Sequence, residues 1–340
     1  MKTFFDDRQW AHDPKHFMQN GVARPNPEQP ERIARLTKGA IAAGAQMLPA
    51  TDHGIAPIGA IHSAEYLSFL QTIHARWLRM EGAGNEVIPN VFPQNRTDSY
   101  PASPNGLAGF HQGDTACPIM ADTWLSAYWS AQSALSGVDA ILAGDHHVYA
   151  LCRPPGHHAF ADMAAGFCFL NNSAIAAQAL LNAGRRPVVL DIDVHHGNGT
   201  QGIFYERNDV LTVSLHADPA GMYPFFWGHA HERGAGAGLG SNLNLPLPRG
   251  TSDDGFMPPL DKALDRITTF GADVIVLALG LDAHENDPLH ILDVTTPGFA
   301  KIATRIASLG LPVLMVQEGG YLSDDLTHNI TSFLTGIQSA

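Results

Sequence analysis

Apolar runs and helical patterns alternate along the second half of the chain. Segments near 171–183, 255–270 and 297–309 show the helical spacing of apolar residues. The apolar runs before, between and after them are typical of buried strands: Tyr149–Cys152, Pro187–Asp193, Val210–Leu215, Asp273–Leu281 and Pro312–Gln317. Repeated strand-helix-strand units predict an α/β fold, with a parallel sheet covered by helices on both faces.

The first half of the chain is predicted to be mainly helical. Amphipathic patterns indicate helices from Pro30 to about Ala45, from Ser63 to Met80 and from Trp124 to Leu135. Residues 1–30 are predicted to be a short apolar start followed by a proline-containing loop. Residues 82–118 are rich in Gly, Pro, Asn and Ser and lack periodicity, which indicates a rim or lid loop. We therefore expect one domain over residues 1–340, with this loop as an insertion.

Composition narrows the classes of partner. The chain has 340 residues, of which 45% are hydrophobic, and a net charge of −13. This charge argues against a nucleic-acid partner and is compatible with a cationic substrate. Acidic residues follow Met1 within a few positions, and no apolar run approaches the ~18 residues of a membrane span, so we expect neither a signal peptide nor a membrane segment.

The cysteines indicate the compartment. Cys117, Cys152 and Cys168 are odd in number and have no C-x-x-C spacing. This arrangement argues against structural disulfides and against a thiolate zinc site, and it fits the reducing cytoplasm.

The stretch Val188–Gly199 carries the strongest signal for chemistry. A run of β-branched residues turns abruptly into acids and histidines. Alternation along a strand places Asp191, Asp193 and His195 on one side and His196 on the other. Two carboxylates and an imidazole at a sheet edge favour a bound cation, and Asp with His suits zinc. The alternative is a hydrogen-bonded turn with exposed acids.

Three further polar clusters follow predicted strands. Arg153–His158 contains the pair His157-His158, Asp282 ends another strand, and Gln317–Tyr321 carries two glycines and a phenol. In open parallel sheets, sites form beyond the carboxyl ends of strands, so we expect these clusters to meet.

Together the clusters could supply the parts of an amide hydrolase. Asp193, His195 and Asp282 give three ligands and leave a position for water, as in catalytic zinc sites. His157 and His158 fit the roles of base and acid, and Tyr321 that of oxyanion donor. Asp191 is better suited to orient a histidine or to bind a structural cation.

The segments Arg153–His158, Gly166–Asn172, Asp191–Gly199, Ser214–His216 and Glu318–Tyr321 resemble the signature blocks of the zinc-dependent histone deacetylase superfamily. Within it, the chain is most similar to bacterial acetylpolyamine amidohydrolases. The resemblance implies the arginase-deacetylase fold, an eight-stranded parallel sheet between helices.

The resemblance also implies site residues. Zinc would bind Asp193, His195 and Asp282, with His157 and His158 as the tandem histidines and Tyr321 polarising the carbonyl. Phe167 and Tyr223 would flank the substrate tunnel, with Gly166 among the substrate-binding residues. A potassium site would use Asp191, Asp193, His195, Ser214 and Leu215.

Two further positions concern the general acid and the recognition of the substrate. Asn198 stands where class I histone deacetylases have an Asp that pairs with the second tandem histidine, which leaves open whether His158 is the acid. Asp114 is our choice for the rim carboxylate that recognises the substrate, with an ordinary loop Asp as the alternative.

The leading hypothesis is a zinc amidohydrolase that removes acetyl from a small cationic amine, preferably an acetylpolyamine. The loop at 82–118 favours small substrates, since a rim loop or a homodimer contact would narrow the entrance. The alternatives are a deacetylase of acetyl-lysine in proteins, an arginase-like binuclear manganese hydrolase, and a non-enzymatic acyl-amine-binding protein.

Overall fold

Eight parallel strands form the central sheet of the structure, a computed structural model that describes residues 1–94 and 98–339. The described residues contain ten strands, eight in this sheet and two in a hairpin: β1 Lys2–Phe5, β2 His16–Gln19, β3 Val22–Pro25, β4 Gln46–Pro49, β5 His147–Ala150, β6 Pro187–Asp191, β7 Leu211–Ala217, β8 Asn242–Leu247, β9 Val274–Leu279 and β10 Val313–Gln317. The sheet order is β4-β1-β5-β10-β9-β6-β7-β8, and β2 pairs with β3 in a separate antiparallel hairpin.

Helices cover both faces of the sheet. They are α1 Glu31–Ala42, α2 Ala56–Gly59, α3 Ala64–Trp77, α4 Pro104–His111, α5 Thr123–Leu142, α6 Asn172–Asn182, α7 Asn198–Phe204, α8 Asp253–Phe270, α9 Thr296–Ala307 and α10 Leu326–Gln338, with short 3₁₀ turns at Asp7–Ala11 and Gly236–Gly238. Alternate strand side chains enter opposite cores: Leu190 belongs to the core that includes residues of α1, α8, α9 and α10, and Val189 to the core that includes residues of α3, α5 and α6. The predicted α/β fold is confirmed. No helix among the described residues is long and apolar enough to cross a membrane.

The sheet order explains where a site can form. Strands β5, β10, β9 and β6 are consecutive neighbours at the centre of the sheet. The four polar clusters of the sequence follow these four strands, so their backbones emerge side by side at one edge. The six predicted helices and five predicted strands are present, with ends shifted by a few residues.

Residues 1–30 differ from the predicted start and loop, because they contain β1 and the β2–β3 hairpin. Asn20 and Gly21 both have positive φ, 52° and 76°, as the tight hairpin turn requires. Glu86 holds the hairpin: one carboxylate oxygen accepts a hydrogen bond from Lys15 N at 2.6 Å, and the other lies 2.8 Å from His16 Nδ1.

The 82–118 segment is ordered where the structure describes it, and it is not a structureless loop. It contains α4, whose first turn is capped by the Ser103 hydroxyl. Its two ends are joined by a bridge between Val87 and Ile119 and by Gln112 Nε2, which donates to Val87 O at 3.1 Å. The part of the predicted loop at 95–97 lies outside the described residues.

Candidate active site

Asp193, His195 and Asp282 meet at the centre of this sheet edge. Their candidate ligand atoms all lie within 4.8 Å of one another. His195 Nδ1 is 3.2 Å from Asp193 Oδ1 and 3.2 Å from Asp282 Oδ2, and all three residues are buried. Two carboxylates and an imidazole form a donor set that suits zinc.

The sequence predicted that strand alternation places Asp191, Asp193 and His195 on one side, but Asp193 and His195 lie beyond the end of the strand. Strand β6 ends at Asp191. Beyond it, Asp191 Oδ1 accepts from Asp193 N at 3.0 Å, and Asp193 Oδ1 accepts from His195 N at 2.9 Å. These local turns aim the side chains. His196 faces away, with its ring centroid 4.6 Å from that of His216.

Burial and mutual charge shift the pKa values of the residues in this cluster. Burial and the Asp193 charge raise the pKa of Asp282 to about 7. Burial disfavours a charged His195, but Asp193 and Asp282 outweigh it and raise the pKa of His195 to about 10. Buried carboxylates crowded in this way are stabilised by a bound cation, so the residues fit a metal ion.

The tandem histidines have different partners. His157 Nδ1 is 2.9 Å from Asp191 Oδ2, and His158 Nδ1 is 2.7 Å from Asn198 Oδ1. Burial opposes the charge on His157, but Asp191 outweighs it and raises its pKa to about 10. Burial and the neighbouring His157 hold the pKa of His158 well below its usual value. These environments favour the cationic form of His157 and the neutral form of His158.

The Glu318 carboxylate holds the backbone of the tandem histidines. Its Oε2 accepts from Gly156 N at 2.6 Å and from His157 N at 3.0 Å, while Oε1 accepts from the Ser173 hydroxyl at 3.0 Å. Glu318 belongs to one of the polar clusters predicted from sequence, but no role was predicted for it, and nothing in its local pattern indicates one.

Tyr321 reaches the site on a close-packed turn. Gly319 N donates to Asp193 Oδ2 at 2.7 Å, and a Cβ on Gly319 would lie 2.2 Å from Asp282 Oδ2. Only glycine fits there. Tyr321 N donates to Asp287 Oδ2 at 2.7 Å, and its ring lies 5.7 Å from that of Phe167.

A cavity of about 350 Å³ lies against these groups, and we call it the site cavity. His158, His195 and Tyr321 reach it, and aromatic residues form much of its wall. Its lining consists of Phe17, Met18, Gln19, Asn20, Asp114, Thr115, Ala116, His158, Gly166, Phe167, His195, Gly221, Met222, Tyr223, Phe225, Leu289 and Tyr321. All four predicted substrate-binding residues therefore line the cavity: Asp114, Gly166, Phe167 and Tyr223.

The Asp114 carboxylate is already engaged. Its Oδ2 accepts from the Tyr223 hydroxyl at 2.7 Å and from Gly166 N at 3.0 Å, and Oδ1 accepts from Ala116 N at 2.8 Å. Burial and Asp114 raise the pKa of Tyr223 well above its usual value, so the phenol keeps its proton and donates.

Of the residues predicted for potassium, Asp193 and His195 belong to the cluster, and the other three lie on β6 and β7. Asp191 is opposite Ser214 in the β6–β7 ladder, and Leu215 is the next residue of β7. The Ser214 hydroxyl lies 2.7 Å from His216 Nδ1. This potassium site remains a prediction.

Sequence reasoning missed the contribution of the hairpin to the site cavity. Phe17 and Met18 lie on β2, and the Phe17 ring is 5.9 Å from that of Phe167. The dipeptide Asn20-Gly21 is the sequence signal that predicts such a hairpin. Leu289 and Phe225 were missed as well, and they lie in irregular segments without a distinctive pattern.

Comparison with known proteins gives the relationship. Residues 26–337 match the histone deacetylase domain. The acetylpolyamine amidohydrolase of Burkholderia pseudomallei is 46% identical over 343 residues, covering 99% of this chain and 98% of that protein. Acetylpolyamine amidohydrolase 1 of Pseudomonas aeruginosa is 40% identical over 348 residues, covering 100% and 99%.

Solved structures agree. A crystal structure of acetylpolyamine aminohydrolase from Burkholderia pseudomallei superposes with a TM-score of 0.96, at 46% identity, over 100% of this chain and 99% of that one. The HDA15 HD domain gives a TM-score of 0.79 at 27% identity, covering 100% and 90%. The chain therefore belongs to the histone deacetylase family, and it is similar over its whole length to bacterial acetylpolyamine amidohydrolases.

Proposed function

We propose that this protein is a zinc-dependent amidohydrolase that removes acetyl groups from small cationic amines, above all acetylpolyamines. The observation that carries the proposal is the convergence of Asp193, His195 and Asp282 with His158 and Tyr321 at one cavity. The acetylpolyamine amidohydrolases among its relatives support the substrate class.

Asp193, His195 and Asp282 would hold the zinc ion. Their buried donor set fits it, and a bound zinc supplies Lewis acidity and a more acidic water at neutral pH. Potassium would be held by Asp191, Ser214 and Leu215, together with Asp193 and His195.

The tandem histidines would divide the proton chemistry. His158 reaches the site cavity and is neutral, so it can accept a proton from the attacking water and later donate it to the leaving amine. The C–N bond breaks as the new C–O bond is retained, giving acetate and the free amine. His157, cationic through Asp191, would stabilise negative charge nearby.

Tyr321 would donate to the carbonyl oxygen as negative charge develops on it. Burial raises the pKa of Tyr321 well above its usual value, so the hydroxyl retains the proton it must share. Phe167 and Tyr223 would hold the methylene chain between them, next to the reacting groups.

Steady-state kinetics on acetylputrescine, acetylcadaverine, acetylspermidine and acetyl-lysine peptides test the proposal. We expect the acetylpolyamines to give the highest kcat/KM. Faster hydrolysis of the peptides would favour the protein deacetylase alternative, and two manganese ions per chain would favour the arginase-like one. No hydrolysis of any amide would favour a binding protein.

The proposal includes a single deacetylase domain over residues 1–340 acting in the cytoplasm. A homodimer is a further expectation, because the ordered 82–118 segment adds surface beside the site cavity. Light scattering would measure the oligomeric state.

A further inference from the structure

One carboxylate oxygen joins two walls of the site cavity. Asp114 Oδ2 accepts the hydroxyl hydrogen of Tyr223 at 2.7 Å and the backbone N–H of Gly166 at 3.0 Å. Tyr223 follows β7 and Gly166 precedes α6, so the two donors belong to separate segments. Asp114 itself is fixed by a third bond, from Ala116 N to Oδ1 at 2.8 Å.

Both walls pack directly against the histidines of the site. The Tyr223 ring meets the His158 ring edge-on, with centroids 4.9 Å apart, and lies 6.2 Å from the His195 ring. A Cβ on Gly166 would lie 2.4 Å from His158 Cδ2 and 2.8 Å from the Tyr223 hydroxyl oxygen. The Gly166 backbone is therefore packed tightly against both His158 and Tyr223.

The Gly166 wall continues to Tyr321. Gly166 and Phe167 both have positive φ, 50° and 67°, a backbone conformation that needs support at a non-glycine residue. The bond from Gly166 N to Asp114 supplies part of that support. The Phe167 ring then contacts Tyr321 at 5.7 Å.

We propose that Asp114 is a positioning residue that sets the width of the site cavity by holding Tyr223 and Gly166 together. It acts through these two residues and not by pairing with the distal ammonium of the substrate. The narrow width would select unbranched methylene chains beside the acetylated nitrogen. This inference rests on the proposed deacetylase function, which it deepens.

The two roles of Asp114 make different predictions. An ion pair with the substrate depends on the substrate's charge and not on the Tyr223 hydroxyl. A positioning role depends on the hydroxyl and is indifferent to the distal charge. Asp114→Ala, Tyr223→Phe and the double variant separate them, because contacting residues that act together give non-additive effects.

The substrates are chosen to isolate charge and shape. Acetylputrescine carries a distal ammonium, N-acetylbutylamine has no charge, and N-acetyl-sec-butylamine is branched beside the nitrogen. Asp218→Asn is the matched control. This exposed residue directly follows β7, at the same edge of the sheet, and its carboxylate accepts a hydrogen bond from Ala220 N of its own loop.

We expect Asp114→Ala and Tyr223→Phe each to lower kcat/KM about tenfold for both linear substrates, the scale of one hydrogen bond. The double variant should lose no more than the larger single loss. The preference for the linear over the branched amide should shrink in all three. Asp218→Asn should match the wild type in its preference.

A loss confined to acetylputrescine in Asp114→Ala, or additive losses in the double variant, would overturn the proposal in favour of an ion pair or of independent roles. Crystal structures of the wild type and of Asp114→Ala give a second judgement. Tyr223 and the Gly166 turn should separate in the variant, and unchanged positions of both would contradict the positioning role of Asp114. If the wild type hydrolyses no amide, the proposed function fails and the crystal structures alone decide.

Discussion

Arg32 Nε donates a hydrogen bond to the carbonyl oxygen of Gly320 over 2.6 Å. The same guanidinium donates to Glu318 O at 2.6 Å and to Glu28 Oε1 at 2.7 Å, and it is fully buried. A cation on α1 therefore fixes the backbone on both sides of Gly319, just before Tyr321. The Glu28 carboxylate is the buried acidic partner of Arg32, and it also accepts from Arg153 Nε at 2.9 Å.

Arg32→Ala should lower the free energy of unfolding by about 3–5 kcal/mol, since removing one partner leaves buried polar groups unpaired. Denaturation by urea measures the loss. Arg35→Ala is the control on the same helix: its ion pair with Glu31 is exposed and should be worth about 1 kcal/mol or less. Equal losses in the two variants would mean that the buried network of Arg32 stabilises the fold no more than an exposed ion pair does.

Tyr321→Phe should retain the fold and the metal but lose turnover. Loss of one oxyanion donor typically lowers kcat by ~10²–10³. Circular dichroism and metal analysis check the first point, and steady-state kinetics the second. Tyr128→Phe, which removes a remote hydroxyl that bonds Asp52, should be fully active. A reduction of less than about fivefold in Tyr321→Phe would exclude Tyr321 as the donor.

Asp282→Ala should abolish both metal retention and activity, because it removes one of the three residues proposed to hold the metal. Metal content is read by atomic emission after dialysis. Asp273→Ala provides the comparison: this carboxylate precedes the opposite end of β9 and bonds Arg185 at 3.0 Å. Full metal occupancy in Asp282→Ala would remove Asp282 from the ligand set.

The chemistry could be predicted from sequence because it follows four apolar strands that are easy to recognise. The pairing of those strands could not be derived from local pattern, since Val313 lies beside both His147 and Ile275 in the sheet. Strands β1 and β4, with four residues each, are too short for a periodic signal. Pro246 weakens the strand pattern of β8, which lies at the edge of the sheet, where proline is tolerated.

The engagement of Asp114 is another feature beyond local pattern. Its partner Tyr223 lies 109 residues away in the sequence, so no spacing rule brings them together. The sequence predicted that Asp114 recognises the substrate, and Asp114 does line the site cavity. Its carboxylate, however, accepts hydrogen bonds from Gly166 N and from the Tyr223 hydroxyl.

Stability should decrease as the pH falls from 6.5 towards 4, and His62 should account for part of the slope. Burial lowers the pKa of His62 to about 4, and its Nε2 accepts from Asn171 N at 2.9 Å. The unfolded chain takes up the proton near pH 6.5 but the native state only near pH 4, so stability is lost within that window. The shift corresponds to about 3 kcal/mol.

Urea denaturation at several pH values measures this slope. His62→Gln, which cannot titrate, should have a shallower dependence of unfolding free energy on pH than the wild type. His231→Gln changes an exposed histidine and should keep the wild-type slope. Identical slopes in His62→Gln and the wild type would show that His62 is not held neutral in the native state.

Deacetylation should be faster on small acetylated diamines than on acetyl-lysine within a folded protein. The β2–β3 hairpin contributes Phe17 and Met18 to the site cavity, and the 82–118 segment holds that hairpin through Glu86. A polypeptide chain on both sides of the lysine would collide with this rim, whereas a diamine presents only its own width.

Glu86→Ala should therefore raise kcat/KM for acetyl-lysine peptides relative to acetylputrescine, because it frees the hairpin from the carboxylate that accepts from Lys15 N and lies beside His16. Shortening the 82–118 loop should act in the same direction. Glu81→Ala removes an exposed charge nearby and should preserve the ranking. Suppose that acetylated peptides have a higher kcat/KM than every acetylpolyamine in the wild type, and that neither Glu86→Ala nor the shortened loop alters that order. The rim then does not select substrates by size, and the protein deacetylase alternative replaces the polyamine assignment.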